Sequence, residues 1–156
     1  RPPKPTLFPY TTLFRSQQTG QPLLPFGAVA RWEPALGGFL VAGEGSLTLL
    51  QSDGSTTALQ PAQPELPLLS PNGERWAWAQ NEAPGGVWVG TFNQTPQRIF
   101  DGSAHDAIWT PDGTTLFFFG DSPSLGQGLF RASAPNFTPT RVVEALDGSA
   151  PTWVLP

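Results

Sequence analysis

The chain has 156 residues, no Cys, no Met and a formal net charge of −4, which excludes disulfides, thiolate-bound zinc and a thiol nucleophile. Its 19 Pro and 17 Gly exclude long helices, because Pro removes a helical amide donor and Gly supplies turns. Hydrophobic residues make up 38% and aromatic residues 12%, enough for a packed core, and no apolar run reaches the roughly 18 residues that cross a bilayer.

At the N-terminus, Thr6 to Ser16 read TLFPYTTLFRS. This run resembles the conceptual translation of a sequencing adapter, of the kind found at the ends of frames called from metagenomic assemblies. Residues 1–16 are therefore expected to lie outside the fold. After Ser16 there are five Arg and no Lys against twelve acids, a formal net charge of −7. An acidic body with scattered Arg lacks the basic stripe that nucleic-acid binding needs.

A repeat runs through the remainder. Trp32-Glu33-Pro34-Ala35-Leu36-Gly37-Gly38-Phe39 aligns without gaps with Leu69-Ser70-Pro71-Asn72-Gly73-Glu74-Arg75-Trp76 and with Trp109-Thr110-Pro111-Asp112-Gly113-Thr114-Thr115-Leu116. Each copy is a large apolar residue, a polar residue, Pro, a Gly-containing turn, then an apolar strand. A fourth copy opens at Ala150-Pro151-Thr152-Trp153. The anchors Trp32, Leu69, Trp109 and Trp153 lie 37, 40 and 44 residues apart, close to the ~40–45 residues of a four-stranded propeller blade.

Each copy reads as four strands. The first predicts Gly38–Ala42, Ser46–Gln51 and Thr56–Leu59, with Asp53-Gly54 as a tight turn and Gly43-Glu44-Gly45 as a hairpin. The second predicts Arg75–Ala79, Val87–Thr91 and Gln97–Phe100, ending at Asp101-Gly102. The third predicts Asp106–Trp109 and Thr115–Phe119, a loop from Gly120 to Gly128, then Leu129–Ala132 and Thr140–Glu144. Pro presets φ at the first corner of each turn, and the Asp-Gly or Asn-Gly that follows tolerates positive φ. Central strands such as Leu116-Phe117-Phe118-Phe119 are apolar on both faces, so each sheet must be covered twice. A sandwich with one wet face would alternate strictly. The expected fold is all-β, a partial β-propeller of about three four-stranded antiparallel blades (28–62, 63–104, 105–148) plus the start of a fourth at 149–156. The repeated Trp32, Trp109 and Trp153 are expected in the core between blades, and Trp76, Trp78 and Trp88, inside predicted strands, are expected in the core too.

Leu69-Ser70-Pro71-Asn72-Gly73 and Trp109-Thr110-Pro111-Asp112-Gly113 resemble the W-S-P-D-G turn of TolB-like, WD-repeat-like propeller repeats. Gly86-Val87-Trp88-Val89 and Gly128-Leu129-Phe130-Arg131 resemble the family's third strand. The resemblance covers about 28–156 and is weaker in the first copy, where Ala35-Leu36-Gly37-Gly38 replaces the Asp-Gly turn. It implies an exported bacterial protein, periplasmic or extracellular, whose propeller binds a protein partner or a small ligand. A second implication is the gating propeller of a prolyl oligopeptidase-like serine peptidase with its hydrolase domain missing, and a third a sensor propeller. A closed propeller takes about four to eight blades, so three blades are expected to be a truncated arc. Their bare end faces predict marginal stability or aggregation.

Catalytic and metal signals are weak. The single His105 sits beside Asp106, and neighbours on a strand point to opposite faces, which argues against a working pair. No G-x-S-x-G elbow, phosphate loop, calcium loop or zinc set is present. No catalytic residue, metal ligand or cofactor is assigned. Repeat alignment puts Glu65 and His105 at equivalent entry positions of the innermost strands, with Asp106 beside the latter. These three are the candidate ligand-binding residues of a channel rim, solvated loop positions being the plainer reading.

Overall fold

The computed structural model describes residues 28–43, 45–59, 66–82 and 85–144. Within these residues, twelve strands form three four-stranded antiparallel sheets, each an up-and-down meander in which every strand pairs with the next. The first contains β1 (Val29–Glu33), β2 (Gly38–Gly43), β3 (Ser46–Gln51) and β4 (Thr56–Leu59). The second contains β5 (Leu68–Leu69), β6 (Trp76–Gln80), β7 (Gly86–Gly90) and β8 (Gln97–Asp101). The third contains β9 (Ser103–Trp109), β10 (Thr115–Ser122), β11 (Gly126–Ser133) and β12 (Thr140–Glu144). Among the described residues the one helical piece is a 3-10 turn, Pro34–Leu36. Residues 1–16, the fourth copy at 149–156, Glu65 and Trp153 lie outside the described residues.

The repeat is a repeat of register. Trp32 pairs with Phe39, Leu69 with Trp76, and Trp109 with Leu116. The turn between each pair sets this spacing. In the third sheet, Gly113 adopts φ +69 and donates its N–H to Thr110 O at 2.8 Å. The Thr110 hydroxyl accepts from Thr115 N–H at 3.0 Å and donates to Asp112 at 2.6 Å. Ser70, Asn72, Gly73 and Arg75 repeat this arrangement in the second sheet, with Gly73 at φ +73. Donation from the Thr110 hydroxyl, then from the backbone N–H and the hydroxyl of Thr114, holds the Asp112 carboxyl below its ordinary range. In the first sheet Glu33 replaces the hydroxyl residue and bonds Arg31 instead. There the left-handed corner falls one residue later, at Gly37 (φ +63).

The turns stack from sheet to sheet. A Cβ on Gly73 would come within 2.9 Å of the Ala35 side chain, and one on Gly113 within 3.0 Å of Asn72 Oδ1. The third position of one turn therefore lies against the fourth position of the next at both junctions, so the same step between sheets is taken twice.

Between the second and third sheets lies the larger core. It joins Ala77, Val87, Val89 and Phe100 to Trp109, Leu116, Phe118 and Phe130. The Phe100 ring lies 5.0 Å from that of Phe118 and 4.8 Å from that of Phe130. Trp109 Nε1 donates to Leu68 O across the junction at 3.1 Å. The smaller core gathers Leu40, Ala42, Leu47 and Leu59 of the first sheet with Leu66 and Phe92. A bond of 2.6 Å from Arg31 to Pro67 O ties the same two sheets.

Three expectations need correction. Residues Gly120–Gly128 are not one loop: β10 continues to Ser122, β11 restarts at Gly126, and only Pro123–Leu125 turns. Gly120 is there because a Cβ would sit 2.7 Å from the Phe100 ring, and Gly128 because one would sit 2.2 Å from Val143 O. These glycines serve close packing and not chain reversal. The third repeat's first strand begins at Ser103, not Asp106. Trp32 is 47% exposed while its register equivalent Trp109 is buried, because the second sheet packs over Trp109 and no described strand packs over Trp32, although Val41 and Leu50 further along the same face are buried.

Candidate functional site

The site begins at the crossing from the second sheet to the third. Gly102 alone separates β8 from β9 and has φ +133. A Cβ there would lie 2.0 Å from Asp121 O, so only glycine lets the chain pass this close to the end of β10. The crossing places Ser103 opposite Asp121 and His105 opposite Phe119. Across the hairpin, Gln127 pairs with Asp121 and Gly128 with Gly120. Period two on β9 puts Ser103 and His105 on one face.

The result is a cleft of about 190 Å³ lined by Asn81, Ser103, His105, Phe119, Asp121 and Gln127 and by Gly120 and Gly128. It lies where β9 begins, β10 ends and β11 begins, with Asn81 contributed by the segment after β6. Two amides, a hydroxyl, an imidazole and a carboxylate converge on one aromatic ring. Both donors and acceptors are present, the mix that suits a small polar group rather than a bare ion.

His105 and Asp106 correct the expectation from alternation. Their side chains meet, Nδ1 to Oδ2 at 3.0 Å. Asp106 has φ +50, and the β9–β10 register shifts between Phe117 and Phe119. This left-handed residue in a bulge breaks the two-residue period and turns Asp106 back beside its neighbour. The His105 ring lies 5.8 Å from Phe119 at 30°. When Nδ1–H donates to Asp106, the neutral ring leaves Nε2 as an acceptor. The side chains are 42% and 53% exposed, whereas the orienting acid of a hydrolytic triad is buried.

Of the three candidate rim residues, the structure places His105 in the cleft and Asp106 hydrogen-bonded to it, while Glu65 lies outside the described residues. Sequence reasoning missed Asn81, Ser103, Phe119, Asp121 and Gln127. The signal available was Ser103-x-His105 at strand period, together with Asp121 and Gln127 at equal distances from the Pro123–Leu125 turn. A second, shallower hollow of about 420 Å³ lies along Arg131, Ser133, Pro135, Asn136, Thr138 and Thr140. Its Ser133 hydroxyl is already engaged with Thr115 at 2.9 Å. Among the described residues, no three His, Asp or Glu side chains gather as a metal site would need, and no helix is long and apolar enough to cross a membrane.

Comparison with protein-family models, with curated proteins and with solved structures found no match.

Proposed function

We propose that this chain is three blades of a TolB-like propeller acting as a non-catalytic binding module, with the His105 cleft as its recognition site. Support for the blade reading comes from the three meanders, the anchor pairs in equivalent register and the twice-repeated stacking of turns. The observation that carries the binding reading is the convergence of Ser103, His105, Asp121 and Gln127 from three adjacent strands on one cleft at the end of a sheet. Its donors and acceptors match a peptide group, with the Phe119 ring offering a small apolar patch for the adjoining carbon. The ligand is thus a peptide segment presented by a partner protein. An exported compartment accords with the family resemblance alone.

The test is an NMR titration of the ¹⁵N-labelled chain with a blocked dialanine, a bare peptide-group probe. Saturable shifts of the Ser103, Gly120 and Gly128 amides that vanish in His105→Ala support the reading. Shifts spread over the surface, or equal in the variant, defeat it.

A further inference from the structure

One carboxylate of the cleft has no counter-charge. Asp121 is exposed near the end of β10, and among the described residues no ion pair includes it. The charged groups around it are committed elsewhere. His105 and Asp106 hold each other at 3.0 Å. Arg141 packs along Gly126 and Gly128, its Nη1 lying 3.0 Å from where a Cβ on Gly126 would stand, and pairs with Glu144 at 3.7 Å. Successive residues of a strand point to opposite faces, so Arg141 lies on the face of β11 opposite to Gln127. Arg131 shares the face of Gln127 but stands four residues further along β11, about 13 Å away.

Given the cleft as a peptide-recognition site, we infer that the bound segment carries a basic side chain, Lys or Arg, beside the recognised peptide group, with its cation on Asp121. Register places Asp121 between Ser103 on β9 and Gln127 on β11. A carboxylate, a hydroxyl and an amide carbonyl thus line up across three strands, a row of acceptors for a donor-rich cation. Phe119, opposite His105, lies two residues before Asp121 on the same face, about 7 Å along the strand. A peptide group held at His105 and Phe119 therefore has Asp121 at a distance that the long stem of Lys or Arg spans, while the apolar stem rests on the ring. Hydrogen bonds from a cation to a carboxylate are stronger than neutral ones. The formal net charge of −7 after Ser16 draws basic ligands at longer range.

The experiment is an NMR titration of the full 156-residue chain with Ala-Lys, Ala-Arg and Ala-Gln dipeptides, all acetylated and amidated, and with dialanine bearing a free amino group. The Lys and Arg probes should bind about two- to fivefold tighter than the Gln probe at low salt, the range of a partly exposed ion pair, and the advantage should shrink as salt is added. Asp121→Asn should abolish the advantage and leave the affinity of the Gln probe unchanged. Asp112→Asn, which removes an equal charge at the opposite end of β10, should leave the advantage in place. Equal binding of the Lys, Arg and Gln probes defeats the inference and leaves the peptide reading standing. So does an advantage that both variants reduce alike, or one that the free amine of dialanine reproduces. Loss of the Gln probe together with the basic ones in Asp121→Asn assigns Asp121 to the shape of the cleft and also overturns the inference. Absence of saturable shifts of the Ser103, Gly120 and Gly128 amides with every probe removes the peptide reading itself, and the inference with it.

Discussion

Asn72 lies against Gly113 across the junction of two sheets, so close that a Cβ on the glycine would meet Asn72 Oδ1 at 3.0 Å. Gly113 also sits at φ +69, where a side chain costs about 1–2 kcal/mol. Gly113→Ala should therefore lower stability by about that amount, with the crowding of Asn72 adding to it. Gly45 shares a positive φ, +72, but has open space around it, so Gly45→Ala should cost the backbone strain alone. Paired thermal melts check both. Equal losses would mean that backbone strain alone matters and that the stacking of turns contributes nothing.

Phe100 is the other fixed point of that junction. It is buried and touches the rings of both Phe118 and Phe130. Phe100→Ala deletes a core ring where three side chains meet, a change that costs about 3–5 kcal/mol. That is a large part of the roughly 5–15 kcal/mol that holds a domain together. The expected outcome by denaturant titration is loss of the cooperative transition, or a midpoint far below wild type.

How much of this was legible follows from what each residue is for. The Pro-Asn-Gly and Pro-Asp-Gly turns were legible because their φ requirements are local, and the anchor pairs at fixed distance around each turn followed from them. Trp32 was misread because burial is not local: it occupies the same register position as Trp109, and only a neighbouring sheet distinguishes them. Gly120 and Gly128 were misread as loop because a glycine demanded by a distant Phe100 ring, or by the backbone at Val143, looks in sequence like one demanded by a turn. The cleft inherited that error, since Asp121 and Gln127 were hidden in the supposed loop. His105 was found, but its pairing with Asp106 was not, because it depends on a single left-handed residue that no motif announces.

Acid should weaken the third sheet through Asp112. Hydrogen bonds, first from the Thr110 hydroxyl, hold its folded-state pKa below that of the unfolded chain, about 3.9. A depressed carboxylate contributes stability that is fully present above the unfolded value and lost as pH falls through the folded one. Melting temperature should then fall below about pH 4, and Asp112→Asn should flatten that part of the profile. Thr110→Val should act more broadly. It removes the acceptor of Thr115 N–H, so a half-buried donor loses its partner, at about 1–3 kcal/mol at every pH. An unaltered acid limb in Asp112→Asn would show that other carboxylates set it.

Asp106 offers the sharpest separation of folding from function. Its φ of +50 is uncommon for a residue with a side chain, and strain of this kind collects at functional sites. Asp106→Gly relaxes the backbone but removes the acceptor that holds His105 Nδ1–H. The lost pair is solvent-exposed, and exposed pairs contribute only about 0.2–1 kcal/mol. The melting temperature should stay level or rise, while the dialanine titration weakens because the imidazole is no longer fixed in one tautomer and orientation. The side-chain ¹⁵N shifts of His105 would report the tautomer directly. A lower melting temperature with unchanged binding would assign Asp106 to the fold alone and leave the cleft without its orienting group.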